Sequence, residues 1–391
     1  MRKVVNLNET PSAADILTQF LMSFGVLILS TLIFSFAGVY LAALFTGTSS
    51  QEILRQLSGE LSVETLNGVK IIQIFSQIGT FILPALILPV IFFKVNPYKY
   101  TGLLGRAPIL LYALGLLSFY ALMPVLELVI TLNQKMDLPY FLQGVENWMR
   151  KSEETQEKMT GYLLYMPTFG HFLSNVFVIA VLPAVAEELF FRGFLQRTLY
   201  NWWRRKHLAV ILSAIIFSAI HMQFFGFFPR FFLGMFLGYL LVWSGDLKLS
   251  MFVHFLNNFT SLLVAYLYRD EKENFDINAP MADYPFYIYI ISAVLGGYLL
   301  YQLYTFSRKK RINETTQTQL PLETGDIQWA KVFSSQSIYE AEIVAGNLES
   351  EGISAVVFNK KDSSYGFGEA EVHVHTEDTL RAQQLISSFK L

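Results

Sequence analysis

The sequence predicts an all-α polytopic membrane protein of about eight transmembrane helices, followed by a small α+β domain of the ferredoxin-like type. Hydrophobic residues make up 53% of the 391-residue chain and charged residues only 15%, which is too apolar for a large soluble protein. Several stretches of roughly 20 residues are almost entirely apolar, which is the length that crosses a bilayer. The residues after position 326 instead alternate in strand-like and helix-like patterns.

Eight apolar segments are candidate spans. The fifth and sixth are short, so a count of seven is the alternative. The first is too long for a signal-peptide core and no convincing cleavage site follows it, so we expect it to be retained. The eight segments cover approximately 19–45, 72–93, 108–132, 170–191, 208–222, 230–243, 251–268 and 285–306.

Lysine and arginine residues gather in alternate short loops, and the positive-inside rule assigns those loops to the cytoplasm. The opposite loops carry fewer positive charges, and the stretch 269–284 contains five acidic residues. We therefore expect a multi-pass protein of the bacterial inner membrane with both termini in the cytoplasm. The basic positions are Arg2, Lys3, Lys94, Lys99, Arg106, Arg197, Arg204, Arg205, Lys206 and 308–311.

Composition divides the chain into three parts. A transmembrane domain covers 1–306, with its polar motifs within 170–268. A basic and then Thr/Gln/Pro-rich stretch, 307–326, is typical of a linker. The α+β domain covers 327–391. Its predicted strands are 329–333, 353–359 and 369–376, and its predicted helices are 337–350 and 379–389.

The chain contains no cysteine, which excludes thiol catalysis, thiolate metal sites and disulfides. The net charge of -2 gives no indication of nucleic-acid binding. Histidine is then the one side chain left for nitrogen ligation or proton transfer near neutral pH. His373 and His375 alternate on one predicted strand, where a solvated strand face is the favoured interpretation and metal binding the alternative.

Two adjacent glutamates, Glu187 and Glu188, lie in an otherwise apolar segment, where an ionised carboxylate is costly unless it is paired or hydrated. Arg192 follows Glu188 by four residues, so the two can form an ion pair on one helix face. Glu187 points about 100° away and stays free. The alternative is a helix end whose charged side chains extend to the membrane interface.

Two later segments also carry polar residues. His221 follows Phe217 by one turn, and Asn258 follows His254 by one turn. Taken singly, His221 could be interfacial and the other two could join helices through hydrogen bonds. Taken together with Glu187, they favour one buried polar site, because two histidines and a carboxylate can activate water as a general base or hold a divalent metal such as zinc.

Three ordered motifs carry a family resemblance. They are Glu187-Glu188-x-x-x-Arg192, Phe217-x-x-x-His221 and His254-x-x-x-Asn258. Their order on hydrophobic segments resembles the signature of the CAAX protease and bacteriocin-processing family, also called CPBP or Abi, which includes the type II CAAX prenyl endopeptidases. The resemblance covers 170–268. It implies an intramembrane endopeptidase that acts on a membrane-anchored or hydrophobic peptide or protein.

The resemblance also implies roles for these residues. Glu187 would be the general base that activates water, with His221 aiding it. His254 and Asn258 would form the oxyanion hole.

In the same resemblance, Glu188 and Arg192 would form the supporting pair. The enzyme would need either no cofactor or a divalent metal such as zinc, held by Glu187, His221 and His254 as in a metalloendopeptidase. The chain has no His-Glu-x-x-His, Gly-x-Ser-Gly or Gly-x-Gly-Asp motif, which argues against the other intramembrane protease classes.

The C-terminal part resembles a small domain family described as signal transducing, which suggests a cytoplasmic partner. Two alternatives to the enzyme hypothesis are open. A non-catalytic membrane scaffold or signalling protein would use the same polar residues for helix packing or partner binding. A proton-coupled transporter would use them as relays, but the sequence shows no inverted repeat.

Overall fold

The structure is a computed structural model that describes residues 11–57, 66–269, 284–319, 329–359 and 369–389. It contains two compact units, residues 1–310 and 311–391. The helices of the first unit are α1 (Ala13–Thr46), α2 (Ser50–Leu57), α3 (Leu66–Phe93), α4 (Pro97–Thr101), α5 (Ile109–Gln134), α6 (Gln143–Leu163), α7 (Phe169–Trp203), α8 (Lys206–Ala219), α9 (Phe227–Ser244), α10 (Leu247–Leu267) and α11 (Phe286–Gln319).

Seven helices of the described residues are long and apolar enough to cross a membrane, namely α1, α3, α5, α7, α9, α10 and α11. The protein is therefore a multi-pass integral membrane protein. The fifth predicted span corresponds to α8, which has 14 residues and is not among these seven. At 1.5 Å per residue it is about 21 Å long. The described residues therefore agree with the alternative count of seven. The turn after α8 packs against the end of α5, where Asn133 donates a hydrogen bond to the carbonyl of Phe224 at 3.2 Å.

Several helix ends and connections meet on one side of the bundle. Trp202 near the end of α7 donates a hydrogen bond to Gln19 near the start of α1 at 2.8 Å. Asp246, between α9 and α10, accepts a 2.9 Å bond from the backbone N–H of Ala107 just before α5. Because the predicted basic loops between α3 and α5 and after α7 lie here, we call this side the basic face. The helix α6 lies at the opposite side.

The helix α7 differs from its predicted bounds in a way that matters for the site. It begins at Phe169, close to the predicted start, but continues to Trp203 instead of ending at position 191. The stretch Gln196–Trp203 is polar on one face and still helical, because tertiary packing buries Leu199 and Thr198. Glu187 therefore lies in the middle of the helix, so the interpretation of a helix end with charges extending to the interface was wrong.

An aromatic cluster fills the bundle between the glutamates and the basic face. Phe92 of α3 packs near Phe194 of α7, with ring centroids 6.5 Å apart. Phe191 contacts Phe217 of α8 edge to face at 5.2 Å. These rings belong to one continuous buried core, and burying such side chains contributes about 1.5–3 kcal/mol each in water. The outer surfaces of α1 and α11 instead expose large apolar side chains suited to lipid.

The predicted linker is partly helical. The helix α11 runs without a break from Phe286 to Gln319, through most of the stretch 307–326. Lysine, arginine, glutamate and glutamine have high helix propensity, which explains why a polar sequence can prolong a transmembrane helix. Residues 320–328 lie outside the described residues.

The second unit has the predicted β-α-β-β-α order. It consists of β1 (Trp329–Ser335), α12 (Ile338–Ser350), β2 (Ala355–Asn359), β3 (Ala370–His375) and α13 (Thr379–Ser388). The strand order is β1-β3-β2, with both pairs antiparallel. The strands β1 and β2 are thus parallel with β3 between them, as in a ferredoxin-like split β-α-β unit. Val344 and Leu348 of α12 pack against Val372 and Val374 of β3.

The two histidines of β3 each pack against an aromatic ring. His375 lies over Trp329 with ring centroids 4.2 Å apart, and His373 contacts Phe358 at 4.7 Å. The Nε2 atom of His373 is also 3.0 Å from a carboxylate oxygen of Glu371. Both histidines are half-buried, so this strand face is less solvated than predicted.

Candidate active site

Glu188 is the centre of a buried polar network. Its side chain is fully buried, and its Oε1 atom lies 2.8 Å from Nη1 of Arg192 and 2.8 Å from Nδ1 of His254. The ion pair to Arg192 has the predicted i, i+4 spacing. The contact to His254 joins α7 to α10, and burial inside a low-dielectric interior strengthens both interactions.

Glu187 has a different environment from its neighbour. Its side chain is 10% exposed, and its closest charged partner is Nε2 of His254, 3.9 Å from its Oε2 atom. That separation is too long for a direct hydrogen bond. Within the described part of the chain, then, Glu188 is engaged by two partners while the carboxylate of Glu187 accepts no hydrogen bond. The predicted division between a structural and an available glutamate agrees with this geometry.

The tautomer of His254 follows from its partners. Its Nδ1 atom faces the Glu188 carboxylate, which can only accept a hydrogen bond when ionised, so Nδ1 carries a proton. The Nε2 atom is then directed to Glu187. Neutral His254 presents a lone pair there, and protonated His254 presents an N–H donor.

Phe217 connects the two histidines of the predicted site. Its ring centroid lies 5.1 Å from that of His221 and 6.0 Å from that of His254. The guanidinium of Arg192 sits over the same ring, 4.3 Å from its centroid. Nδ1 of His221 lies 2.7 Å from the carbonyl of Phe217, so this nitrogen donates and Nε2 is left as a potential base. The sequence motifs did not predict this role for the Phe217 ring. The four-residue spacing between Phe217 and His221 did indicate that the two side chains share a helix face.

Asn258 lies one turn after His254 on α10 and is already hydrogen-bonded. Its Nδ2 atom donates to the carbonyl of Ile179 at 3.2 Å, and its Oδ1 atom accepts from Asn257 at 3.0 Å. Ile179 belongs to a π-helical stretch of α7, Val176–Val181. An amide nitrogen carries two hydrogens, so one N–H of Asn258 stays available to a substrate.

Two hydrogen bonds fix α7 against α9 just behind the site. Nη2 of Arg192 donates to the carbonyl of Gly234 at 3.3 Å, and Nε2 of Gln196 donates to that of Gly238 at 3.2 Å. A Cβ atom on Gly238 would lie 2.7 Å from Oε1 of Gln196. An alanine there would therefore displace the amide of Gln196, and a small residue favours this close approach, as at many interfaces between membrane helices.

The described residues contain no group of three or more histidine, aspartate and glutamate side chains arranged to hold a metal ion. The predicted set of Glu187, His221 and His254 is therefore not arranged as a metal centre. A metal requirement stays a prediction.

One stretch of the chain contains all six predicted site residues together with the helices that carry them. Residues 169–260 match the family model described as "Type II CAAX prenyl endopeptidase Rce1-like". The chain carries an Rce1-like domain. The matched stretch runs from the start of α7 to the middle of α10, so the Rce1-like domain comprises the helices that surround Glu187.

A second family model matches the C-terminal unit. Residues 329–390 match DUF2007, described as "Putative prokaryotic signal transducing protein". The prediction of both families and of their order along the chain is confirmed. No curated protein and no solved structure matches the chain.

Proposed function

We propose that the Rce1-like domain is an intramembrane endopeptidase in which Glu187 activates a water molecule. The observation that carries this proposal is the contrast between the two glutamates. Glu188 contacts both Arg192 and His254 through its Oε1 atom, whereas Glu187 faces an imidazole nitrogen at 3.9 Å with no hydrogen bond among the described residues. A general base needs this kind of unoccupied carboxylate within reach of a water.

The reaction can be written with all atoms accounted for. Glu187 takes a proton from water, and the resulting hydroxide adds to the carbonyl carbon of the scissile peptide bond. Nε2–H of protonated His254 and the free N–H of Asn258 stabilise the tetrahedral oxyanion. The C–N bond then breaks, and the proton held by Glu187 passes to the leaving nitrogen. His221, with Nε2 free, assists the proton transfers.

Glu188 and Arg192 act through the other residues. The carboxylate of Glu188 accepts from Nδ1 of His254 and fixes the orientation of its ring. Arg192 neutralises Glu188 so that the buried charge is tolerated.

The substrate class follows from the surroundings of the site. Because the site lies within membrane helices, the substrate is a membrane-anchored or hydrophobic peptide or protein that reaches it from the lipid. A prenyl group on the substrate is not required by this proposal. By the positive-inside rule, we further propose that the basic face and both termini lie in the cytoplasm, where the C-terminal domain would meet a partner.

The test is cleavage of a library of lipid-anchored peptides by detergent-purified protein. We expect the wild type to cleave, and Glu187→Gln and His254→Ala to lose at least a hundredfold in kcat. His207→Ala is the matched control, because His207 is exposed and bonds Tyr239 away from the site. Equal rates for all variants would contradict the proposal. Loss of activity with a chelator, restored by zinc, would instead require a metal.

The alternative function is a non-catalytic scaffold. One observation favours the scaffold. The contact between Glu188 and His254 joins α7 to α10, as an interhelical packing contact would. A scaffold needs hydrogen bonding rather than a base, so Glu187→Gln would preserve its cellular phenotype. A peptidase would lose that phenotype with the same change.

A further inference from the structure

The position of His221 depends on the turn that follows it. Residues 220–226 connect α8 to α9, and Met222 in this turn adopts the left-handed conformation with φ of 53°. A non-glycine residue in that region is strained by roughly 1–2 kcal/mol, so neighbouring contacts must hold it. The ring of His221 has one hydrogen bond in the described part of the chain, to the carbonyl of Phe217 in the preceding helix.

Arg230 lies near the start of α9 and forms hydrogen bonds to the connection 220–226. Nη1 of Arg230 donates to the carbonyl of Gln223 at 3.2 Å, and Nη2 donates to the side-chain oxygen of the same residue. A Cβ atom on Gly226 would lie 2.4 Å from Nη1 of Arg230, so the guanidinium packs directly on the backbone of the turn. Among the described residues, Arg230 forms no ion pair.

The helix α6 holds the same turn from the other side. Ser152 donates a hydrogen bond to the carbonyl of Met222 at 3.2 Å. Glu153 accepts one from the backbone N–H of Phe225 at 3.4 Å. The negative charges of Glu153 and Glu187 both act on the guanidinium of Arg230.

We propose that Arg230 is a positioning residue that fixes His221 through Gln223, and this rests on the proposed peptidase function. The reason is geometric. A planar guanidinium binds two oxygens of one residue at once, which a lysine ammonium cannot reproduce. A displacement of a catalytic group by about 1 Å can cost roughly 100-fold in rate. An arginine whose partners are neutral oxygens of the His221 turn is suited to prevent such a displacement.

The kinetic test uses the full chain and a lipid-anchored peptide that the wild type cleaves. Arg230→Met and Gln223→Leu should each lower kcat by roughly 10- to 100-fold with KM within twofold. The double variant should lose no more than the single ones, because both remove the same contact. Arg204→Met, which removes an exposed charge at the basic face, should match the wild type.

Arg230→Lys separates positioning from charge. It keeps the positive charge but not the two-oxygen contact, so we expect its kcat to be low as well. Full activity of Arg230→Lys, or wild-type kcat in Gln223→Leu, would overturn the inference.

A second measurement does not depend on activity. Diethyl pyrocarbonate modifies accessible histidines, and mass spectrometry locates the product. We expect His221 to be modified severalfold faster in Arg230→Met and Gln223→Leu than in the wild type and Arg204→Met. Unchanged rates would overturn the positioning role. If the peptidase function itself were wrong, Glu187→Gln would cleave as fast as the wild type, or the wild type would not cleave. Neither result is expected from a failure of the positioning role alone.

Discussion

The Nδ1 atom of His254 lies 2.8 Å from Oε1 of Glu188, and this contact joins α10 to α7 in the interior of the bundle. It fixes which ring nitrogen carries a proton and directs the other toward Glu187. A carboxylate in this position holds the ring in one orientation and one tautomer. The second glutamate of the pair therefore determines what the histidine can donate to a substrate.

The two glutamates should respond differently to amide substitution. Glu188→Gln removes the charge that compensates buried Arg192, so we expect a loss of roughly 3–5 kcal/mol in the free energy of unfolding. Glu187→Gln removes a carboxylate without hydrogen bonds among the described residues, and should lower the free energy of unfolding by about 1 kcal/mol or less. Unfolding in mixed micelles measures both. Equal losses would mean that the two environments are not distinct.

Phe217 should be needed for activity more than for folding. Phe217→Leu removes the ring beneath Arg192, a cation–π contact worth roughly 0.5–2 kcal/mol, and the surface against which both histidines pack. We expect kcat to fall at least tenfold while the protein stays folded. Phe177→Leu, on the exposed surface of α7, is the control. A kcat unaffected by Phe217→Leu would show that the ring does not orient the histidines.

Gly234 should be intolerant of a methyl group. A Cβ atom there would lie 3.1 Å from Cβ of Ala214 and 3.3 Å from the ring of Phe217, so Gly234→Ala should push α8 away from α9 and lower activity. Gly25→Ala is the matched control, because its Cβ would meet no atom within 4 Å. In α1 the alanine should be neutral or stabilising by up to about 1 kcal/mol. Thermal unfolding and cleavage rates test both variants.

The start of α6 should loosen in acid. A hydrogen bond from the backbone N–H of Leu138, followed by one from Arg150, holds the pKa of Glu146 below its ordinary value. A lowered pKa means that this contribution to stability is present above the ordinary pKa and is lost as the pH falls through the lowered one.

Hydrogen exchange measures this loosening. The amide of Leu138 should exchange faster at acid pH than its intrinsic rate explains. In Glu146→Gln, the amide should already exchange quickly at neutral pH, with no further acid dependence of its protection. If the wild type kept its protection through the acid range, Glu146 would not anchor the helix.

The C-terminal domain should regulate the protein or connect it to a partner. Residues 311–391 form a compact unit of their own, so a chain ending at Thr324 should keep the membrane domain intact. We expect its cleavage rate in detergent to be within about twofold of the full chain, and its activity in cells to change. If activity, abundance and regulation were all unaltered in cells, a signalling role would be contradicted.

Local patterns predicted most of the fold. The i, i+4 spacing placed Glu188 beside Arg192, and the alternation of apolar residues located all three strands of the C-terminal domain within two residues. These features depend on neighbours in sequence. The fifth predicted span was expected to be short, and the helix found there, α8, has 14 residues.

The contacts across the site were not predictable in the same way. Nothing local determines that His254 bonds Glu188, that Arg192 rests on Phe217, or that Asn258 bonds a backbone carbonyl 79 residues away. Each depends on how three helices pack. The family resemblance implied that these residues act together, but it did not tell which of them touch.

The π-helical stretches of α7 have a consequence for how this chain is aligned with others. The stretches Val176–Val181 and Leu189–Leu195 flank the two glutamates on both sides. A π turn amounts to one additional residue within an α-helix, and each residue turns the helix by about 100°. The wide π turn absorbs that rotation, so deleting a single residue at 176–181 would restore a regular α-helix and leave Glu187 and Glu188 directed at His254. A relative with a one-residue gap there would keep both the signature and the site.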